Sequence, residues 1–333
     1  MINCSTIFTQ LLEFLPYQQF RSLVGQHKSD FKTQKLTTWN QFVILCYAQA
    51  MGKDSLREIE AGLKTHRELW YHFGIKTVAK SSIAYANEKR SSIVFEKLFY
   101  ALLKQCREMT SVRKFSFNNP LYSLDSTTID LCLGLFDWAK FHHTKGAMKI
   151  HVLFDNRLEL PVVVQGTTGI VSDIAKGKKM KFDLPPESIL VFDRGYADYR
   201  WWRTLDAKSF FFVTRPKKNM TIIVSERRMV SDASIMSDDT IWIGDPCLPP
   251  YDKEMRRVRY LDPIHGEYVF ITNNFKLTAS EIALIYKERW QIELFFKWIK
   301  QNLKIKTFLG TSKNAVMSQV WVAMIYYLLV SYI

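Results

Sequence analysis

Tyr286, Arg289, Glu293 and Lys300 stand in one stretch, YKERWQIELFFKWIK, with two, three and six residues between them. An α-helix turns about 100° per residue, which gathers these four, with Lys297 and Lys304, into a stripe about 80° wide. Leu294, Phe295, Phe296, Trp298, Ile299 and Leu303 spread over the other side, as on a helix with one buried face. One carboxylate thus stands among cations and a phenol. It could hold a metal ion beside a polyanion, or it could pair with Arg289 or Lys297 one helical turn away.

Metal-assisted phosphodiester chemistry commonly uses two divalent cations, one at the attacking and one at the leaving oxygen. Mg²⁺ takes oxygen ligands and few protein carboxylates. About three acids must then converge at one end of a sheet, where ligands of open α/β sheets gather. Asp193 ends the apolar run SILVFD (Ser188–Asp193), which predicts a buried central strand, and Gly195 permits a tight exit after it. Asp125 lies inside a β-branched pattern, Leu121–Cys132, where Asp is disfavoured. Each has a plainer alternative: Asp193 as a cap or a partner of Arg194, Asp125 hydrogen-bonded to Ser126 or Thr127. Asp130 projects to the opposite strand face, and Glu288 lies about 140° around the helix from Glu293. The histidines form no HExxH or other zinc spacing, and GTTG (Gly166–Gly169) lacks the Gly-Lys of a P-loop.

The elements that must carry these residues are legible in outline. Residues 1 to about 115 read as helices: Ile7–Leu15, Tyr17–Val24, Thr38–Met51 stopped by Gly52, Ser55–Leu63 with Ser55 and Glu58 as a capping box, and one long helix over Ser82–Met109. The pair around Gly52 has the outline of a helix-turn-helix, compatible with DNA binding. Beyond Pro120 the pattern changes to strands. Lys149–Asp155 and Leu160–Gln165 predict a hairpin, and Val171–Met180 a weak connecting helix. Phe210–Val213, Met220–Val224, Thr240–Ile243, Met255–Tyr260 and Tyr268–Thr272 are short strands separated by turn residues that include Asp245, Pro246, Pro249 and Pro250. Thr278 and Glu281 form a capping box for the helix that carries the stripe.

Composition fits a polyanion-binding globular protein. Forty-six Lys and Arg against 32 Asp and Glu give a net charge of +14 in 333 residues, with 47% hydrophobic residues. Five scattered cysteines without a CxxC suggest reduced thiols and a cytoplasmic location. The N-terminus has no signal-peptide pattern. The uncharged run Val320–Ile333 is too short to span a bilayer and predicts a buried helix, with no membrane partner. Because the chain stops inside that run, a truncated C-terminus is expected.

Together these blocks resemble bacterial insertion-sequence transposases of the DDE type, in the family with a Tyr-Arg-Glu-Lys signature (insertion sequence family four). The signature is Tyr286, Arg289, Glu293 and Lys300; the first acid sits in LDSTTIDLCLGLFDWAKFHHTKGAMKIH (Leu124–His151) and the second in VFDRGYADY (Val191–Tyr199). The resemblance implies an α/β fold: an RNase H-like mixed-sheet core over 116–333, a mostly β insertion at 216–265 and a helical N-terminal domain over 1–115. It implies Asp125, Asp193 and Glu293 as the catalytic, metal-binding triad, holding two Mg²⁺ ions with Mn²⁺ as a substitute. Tyr286, Arg289 and Lys300 would contact phosphates, joined by Lys297, Lys304 and Arg194. The expected partners are double-stranded DNA (terminal inverted repeats and target) and a second protomer in the synapse, in a nucleoid-associated setting. Cut-and-paste transposition, with a hairpin intermediate, is the implied activity. The alternatives are an RNase H-like nuclease without strand transfer and a truncated remnant that only binds DNA. The chain departs from the family pattern at Ser172–Asp173, where relatives often carry His-Asp.

Overall fold

A computed structural model describes residues 7–75, 78–142, 145–244, 251–303 and 307–331. In chain order the helices are α1 (Ile7–Glu13), α2 (Tyr17–Gln26), α3 (Thr38–Ala50), α4 (Leu56–Thr65), α5 (Trp70–Phe73), α6 (Lys80–Lys89), α7 (Ile93–Met109), α8 (Asp173–Gly177), α9 (Tyr199–Ala207), α10 (Ala279–Glu288), α11 (Trp290–Asn302) and α12 (Lys313–Ser331). The strands are β1 (Leu121–Leu131), β2 (Lys140–His142), β3 (Lys145–Asp155), β4 (Leu160–Thr168), β5 (Ile189–Phe192), β6 (Phe211–Thr214), β7 (Ile222–Arg228), β8 (Ile235–Ile243), β9 (Met255–Asp262) and β10 (Gly266–Thr272). They form two compact units. One comprises Met1–Thr110, Ile129–Met148 and Phe296–Ile333; the other, Ser111–Thr128 and Lys149–Phe295. The turn residues Asp245, Pro246, Pro249 and Pro250, together with His143 and Lys304, lie outside the described residues.

The first unit is mainly helical. α3 is buried along almost its whole length and packs against α12, α6 and α4. Thr37 and Asn40 cap it reciprocally, and Gly52 adopts a left-handed φ of 61° just past its end. The long helix expected over Ser82–Met109 is instead two, α6 and α7. Arg90 leaves the helical path, and its guanidinium reaches the Leu36 carbonyl and, at 3.1 Å, the Thr33 hydroxyl. Asn314 occupies the break, donating to the Asn87 carbonyl at 2.9 Å and accepting from Ser92 N–H at 3.0 Å. α12 is apolar around its circumference, as a helix enclosed on all sides must be. Starting at Lys313 rather than Val320, it reaches 19 residues. That is long and apolar enough to cross a membrane, yet 67% of its apolar stretch is buried, against α7, α3 and α6.

The strands form a mixed sheet in the order β2-β3-β1-β5-β6-β10-β9-β8-β7, with β4 also paired to β3. β1 and β5 run parallel, as do β5 and β6; every later pair is antiparallel. This is a mixed-sheet α/β arrangement, the fold class expected from the sequence, extended at one edge by the short strands that follow Pro216. Alternation along the central strands decides which helix covers each face. Leu190, Phe192 and Phe212 pack with Trp201, Trp202 and Leu205 of α9. Ile189, Val191 and Val213 pack with Ile282, Ala283 and Ile285 of α10. Both faces are therefore apolar, which is why SILVFD is a continuous rather than an alternating run.

Candidate active site

The β1–β5 register explains how two acids meet. Leu121 pairs with Ile189 and Leu124 with Phe192, so Asp125 and Asp193 are the next residues of adjacent parallel strands. Asp193 continues the parity of Ile189 and Val191, and Asp125 that of Leu121, so both point to the face covered by α10. Asp193 leaves the sheet in a tight turn: its Oδ1 accepts the Gly195 N–H at 2.8 Å. A Cβ at position 195 would lie 2.9 Å from that oxygen, so a side chain there would have to displace the Asp193 carboxylate.

The Tyr286–Lys300 stripe is not one uninterrupted helix. α10 ends at Glu288 and α11 begins at Trp290, with Arg289 between them. YKERW contains no glycine or proline, and the break has a tertiary cause. The Glu288 carbonyl accepts from Asn156 Nδ2 at 2.8 Å, while Ile292 N–H turns to the Arg289 carbonyl at 3.3 Å. Asn156 is fully buried and also accepts the Ser123 hydroxyl at 2.9 Å. Arg113 clamps the Glu288 carboxylate through both terminal nitrogens, at 2.7 and 3.1 Å. The helix break is thereby fixed to β1 and to the end of β3. Glu288, rejected as a site residue on helical angle, is a buried structural acid.

Arg289 then faces the acids. Its guanidinium lies 3.4 Å from Asp125 Oδ2 and bonds Glu293 Oε1. Its carbon sits 5.5 Å from the centre of the Tyr286 ring. Burial pushes the Asp125 carboxyl up to about 7; the Ser126 N–H and Arg289 oppose this, and Asp193 and Glu293 reinforce it. Burial opposes charge on Arg289 as well, but Tyr286 and Glu293 outweigh it and hold its pKa above the ordinary value. Among the described residues no three Asp, Glu, His or Cys side chains are close enough to hold a metal ion as placed. Arg289 stands between Asp125 and Glu293 as their counter-charge. The donor set nevertheless fits hard divalent cations: three carboxylates, oxygen only, short of positive charge. Arg289 Nε and Tyr196 Oη are buried polar atoms without a hydrogen-bond partner. They fit a phosphate oxygen and a water, respectively.

Three features were assigned no site role from the sequence. Asp173, at the start of α8, accepts the Ser126 hydroxyl at 2.6 Å and Lys149 Nζ at 3.1 Å. Arg215 directly follows β6, as Asp193 follows β5, and its guanidinium lies 5.1 Å from the centre of the Tyr268 ring. That strand-end position was the available signal. A cavity of about 760 Å³ opens between Arg215, Tyr260, Tyr268, Tyr286, Arg289 and Trp290. Of the remaining expected contacts, Arg194 is exposed beside Asp193. Lys297 is exposed and Lys300 half-buried, on the part of α11 counted with the first unit.

Residues 117–329 match the family described as "Transposase DDE domain". The chain belongs to the DDE transposases. This is a class of enzymes that cleave and transfer DNA strands, and the DDE domain spans the acid cluster, the sheet and most of α12. Residues 3–76 match a second family, a domain of unknown function (DUF4372). The transposase described as y4zB of Sinorhizobium fredii is 36% identical over 255 residues, 74% of this chain and 69% of that protein. The transposase described for insertion sequence element IS5377 of Geobacillus stearothermophilus is 30% identical, over 72% of this chain and 63% of that one. A solved piggyBac transposase in a synaptic complex with hairpin DNA shows a TM-score of 0.42 at 8% identity, covering 97% of this chain and 73% of that one.

Proposed function

We propose that this DDE transposase moves its element by cut-and-paste chemistry, with Asp125, Asp193 and Glu293 as catalytic acids that hold two Mg²⁺ ions, Mn²⁺ substituting. The observation that carries the reading is the parallel register that sets Asp125 beside Asp193 on the sheet face covered by α10, with Arg289 linking Asp125 to Glu293. When bound, the ions supply charge that activates the attacking oxygen and stabilises the leaving one. The protein's own part is to fix its carboxylates and align the DNA. On DNA binding, Arg289 turns its unpaired Nε toward a phosphate, with Tyr286 beside it. The adjoining cavity suits a nucleotide of the element's end, with a base against its tyrosines and Trp290 and phosphates on Arg215 and Arg289.

Water attack at the element's end frees a 3′-hydroxyl. That hydroxyl attacks a phosphodiester of the opposite strand, closing a hairpin and releasing the flanking DNA with its own 3′-hydroxyl. Water then reopens the hairpin, and the regenerated 3′-hydroxyl attacks a target phosphodiester, leaving a 3′-hydroxyl on the target. Lys297, Lys300, Lys304 and Arg194 serve as further phosphate contacts, and the helices within 1–115 as a DNA-recognition domain. Two protomers bring two ends together in the bacterial nucleoid. Asp193→Ala is expected to keep binding to end duplex but abolish Mg²⁺-dependent cleavage; normal cleavage by that variant sinks the assignment. Joined products from pre-cleaved ends distinguish a transposase from a nuclease, which would give nicks alone. Lys300→Ala should weaken binding to end duplex more than to random DNA, and equal losses would reduce it to a general charge.

A further inference from the structure

We propose that Asp173 is a positioning residue that holds Asp125 in place through Ser126, an inference that rests on the metal-binding role proposed above for Asp125. The connection is continuous. Lys149 Nζ donates to Asp173 Oδ1 at 3.1 Å, and the Ser126 hydroxyl donates to the same oxygen at 2.6 Å. The backbone N–H of Ser126 then donates to Asp125 Oδ1 at 2.8 Å. Three separate elements contribute: α8 supplies Asp173, β3 supplies Lys149, and β1 supplies Ser126 and Asp125.

Each link has a physical reason. Asp125 lies inside a strand, where its carboxylate gains no help from a helix terminus or loop. The peptide N–H of Ser126 is its shortest hydrogen bond, shorter than the 3.4 Å contact from Arg289. The direction of that N–H depends on the local path of β1, which the Ser126 side chain ties to α8. A charged acceptor makes that tie strong. Asp173 in turn needs a counter-charge, and Lys149, only 14% exposed, provides it. Asp173 thus orients a ligating carboxylate without itself being placed against the reacting atoms, the kind of support whose loss costs about 10- to 100-fold in metal affinity or activity.

The test uses the full chain, with Mn²⁺ binding followed by electron paramagnetic resonance on a pre-cleaved end duplex and cleavage of an uncut end duplex measured against Mg²⁺ concentration. Asp173→Ala and Ser126→Ala are each expected to weaken Mn²⁺ binding by about tenfold and raise the half-saturating Mg²⁺ for cleavage equally, with end affinity unchanged. Asp173→Asn keeps an acceptor for the Ser126 hydroxyl and should recover most of the loss. The double variant Ser126→Ala/Asp173→Ala should be no worse than the poorer single one, because both act through one path. Unchanged Mn²⁺ affinity in the singles, or additive losses in the double, overturns the inference. Should Asp173→Ala fail to fold, Ser126→Ala against Asp173→Asn carries the same comparison. Asp125→Asn separates the two readings. If it cleaves normally, the triad fails; if it is inactive while the Asp173 and Ser126 variants bind Mn²⁺ like the parent, only the positioning role fails.

Discussion

Two of the places where the second unit takes charge out of water are treated differently. In the extended half of the sheet, Arg256 and Asp238 are almost fully buried and matched atom for atom. Arg256 Nε and Nη2 each lie 2.7 Å from one carboxylate oxygen of Asp238, and Nη1 reaches the carbonyls of Asn274 and Leu277. At the centre of the sheet, Asp125 has one peptide N–H and a long contact to Arg289, with two further acids close by. Its carboxyl is pushed up to about 7, and Arg289 Nε is left without a partner. A buried pair that satisfies itself needs nothing further. A cluster short of cations and of hydrogen-bond partners is built for something that arrives later.

The sharpest way to break this comparison is to neutralise the unsatisfied cluster. Glu293→Gln and Asp125→Asn should each lower cleavage of the end duplex by about a thousandfold, the scale of losing a key charge-stabilising group. Filter binding to the same duplex should change little. Loss of fold, seen by circular dichroism, would instead make these acids structural. The matched pair should behave the opposite way. Asp238→Ala strands a buried guanidinium and should destabilise the protein by about 3–5 kcal/mol in urea titrations. The cleavage rate per folded molecule should stay at the parent value. A paired replacement, Asp238→Leu with Arg256→Met, should restore most of the stability; if it does not, the pair does more than satisfy itself.

How far each region could be read from sequence follows from the range of the forces that make it. The strand-end position of Asp193 was legible because SILVFD is a continuous apolar run that stops at an acid. The pairing of Glu293 with Arg289 was legible because helical spacing puts them one turn apart. The Thr278–Glu281 capping box was a local signal and is present with both of its hydrogen bonds. The break at Arg289 was not legible. Nothing in YKERW interrupts a helix; Asn156 and Arg113, more than 100 positions earlier in the chain, do so by capturing Glu288. The division of Ser82–Met109 into two helices has the same character, since Arg90 is drawn away by Leu36 and Thr33. The role of Asp173 was not legible because its partners, Ser126 and Lys149, come from two separate strands.

Below the effect of breaking the buried pair lies that of His151, which tests whether the surroundings of the acid cluster are also held in an unfavourable state. Its ring is fully buried, with one nitrogen 2.9 Å from the Thr167 hydroxyl, and burial pulls its pKa down from 6.5 to about 4. As pH falls, the unfolded chain binds a proton at this residue before the folded one does. Stability is therefore fully present above about 6.5 and lost on the way down to about 4, by about 3 kcal/mol. His151→Gln should flatten that part of the pH profile. A parallel profile in the variant would assign the acid limb to carboxylates instead.

The smallest effect expected has the opposite sign and goes to the centre of the comparison. If Asp125 is held against its own preference, removing its charge should stabilise the fold. Its folded pKa, about 7, lies above the ordinary 3.8. Below pH 3.8 both folded and unfolded chains carry the proton, and burial of this group costs little. Between 3.8 and 7 the unfolded chain ionises first, so stability is lost as pH rises, and above 7 the full cost remains. In metal-free buffer at pH 8, Asp125→Asn should therefore gain about 1–2 kcal/mol, after the burial cost of the amide is set against the relieved charge. At pH 4 the gain should vanish. The corresponding change at the matched pair, Asp238→Asn, should lose stability at pH 8, because it removes charge that Arg256 fully uses. Opposite signs at the two sites in one set of melting curves would show that only the central cluster is held unsatisfied; equal signs would erase the distinction.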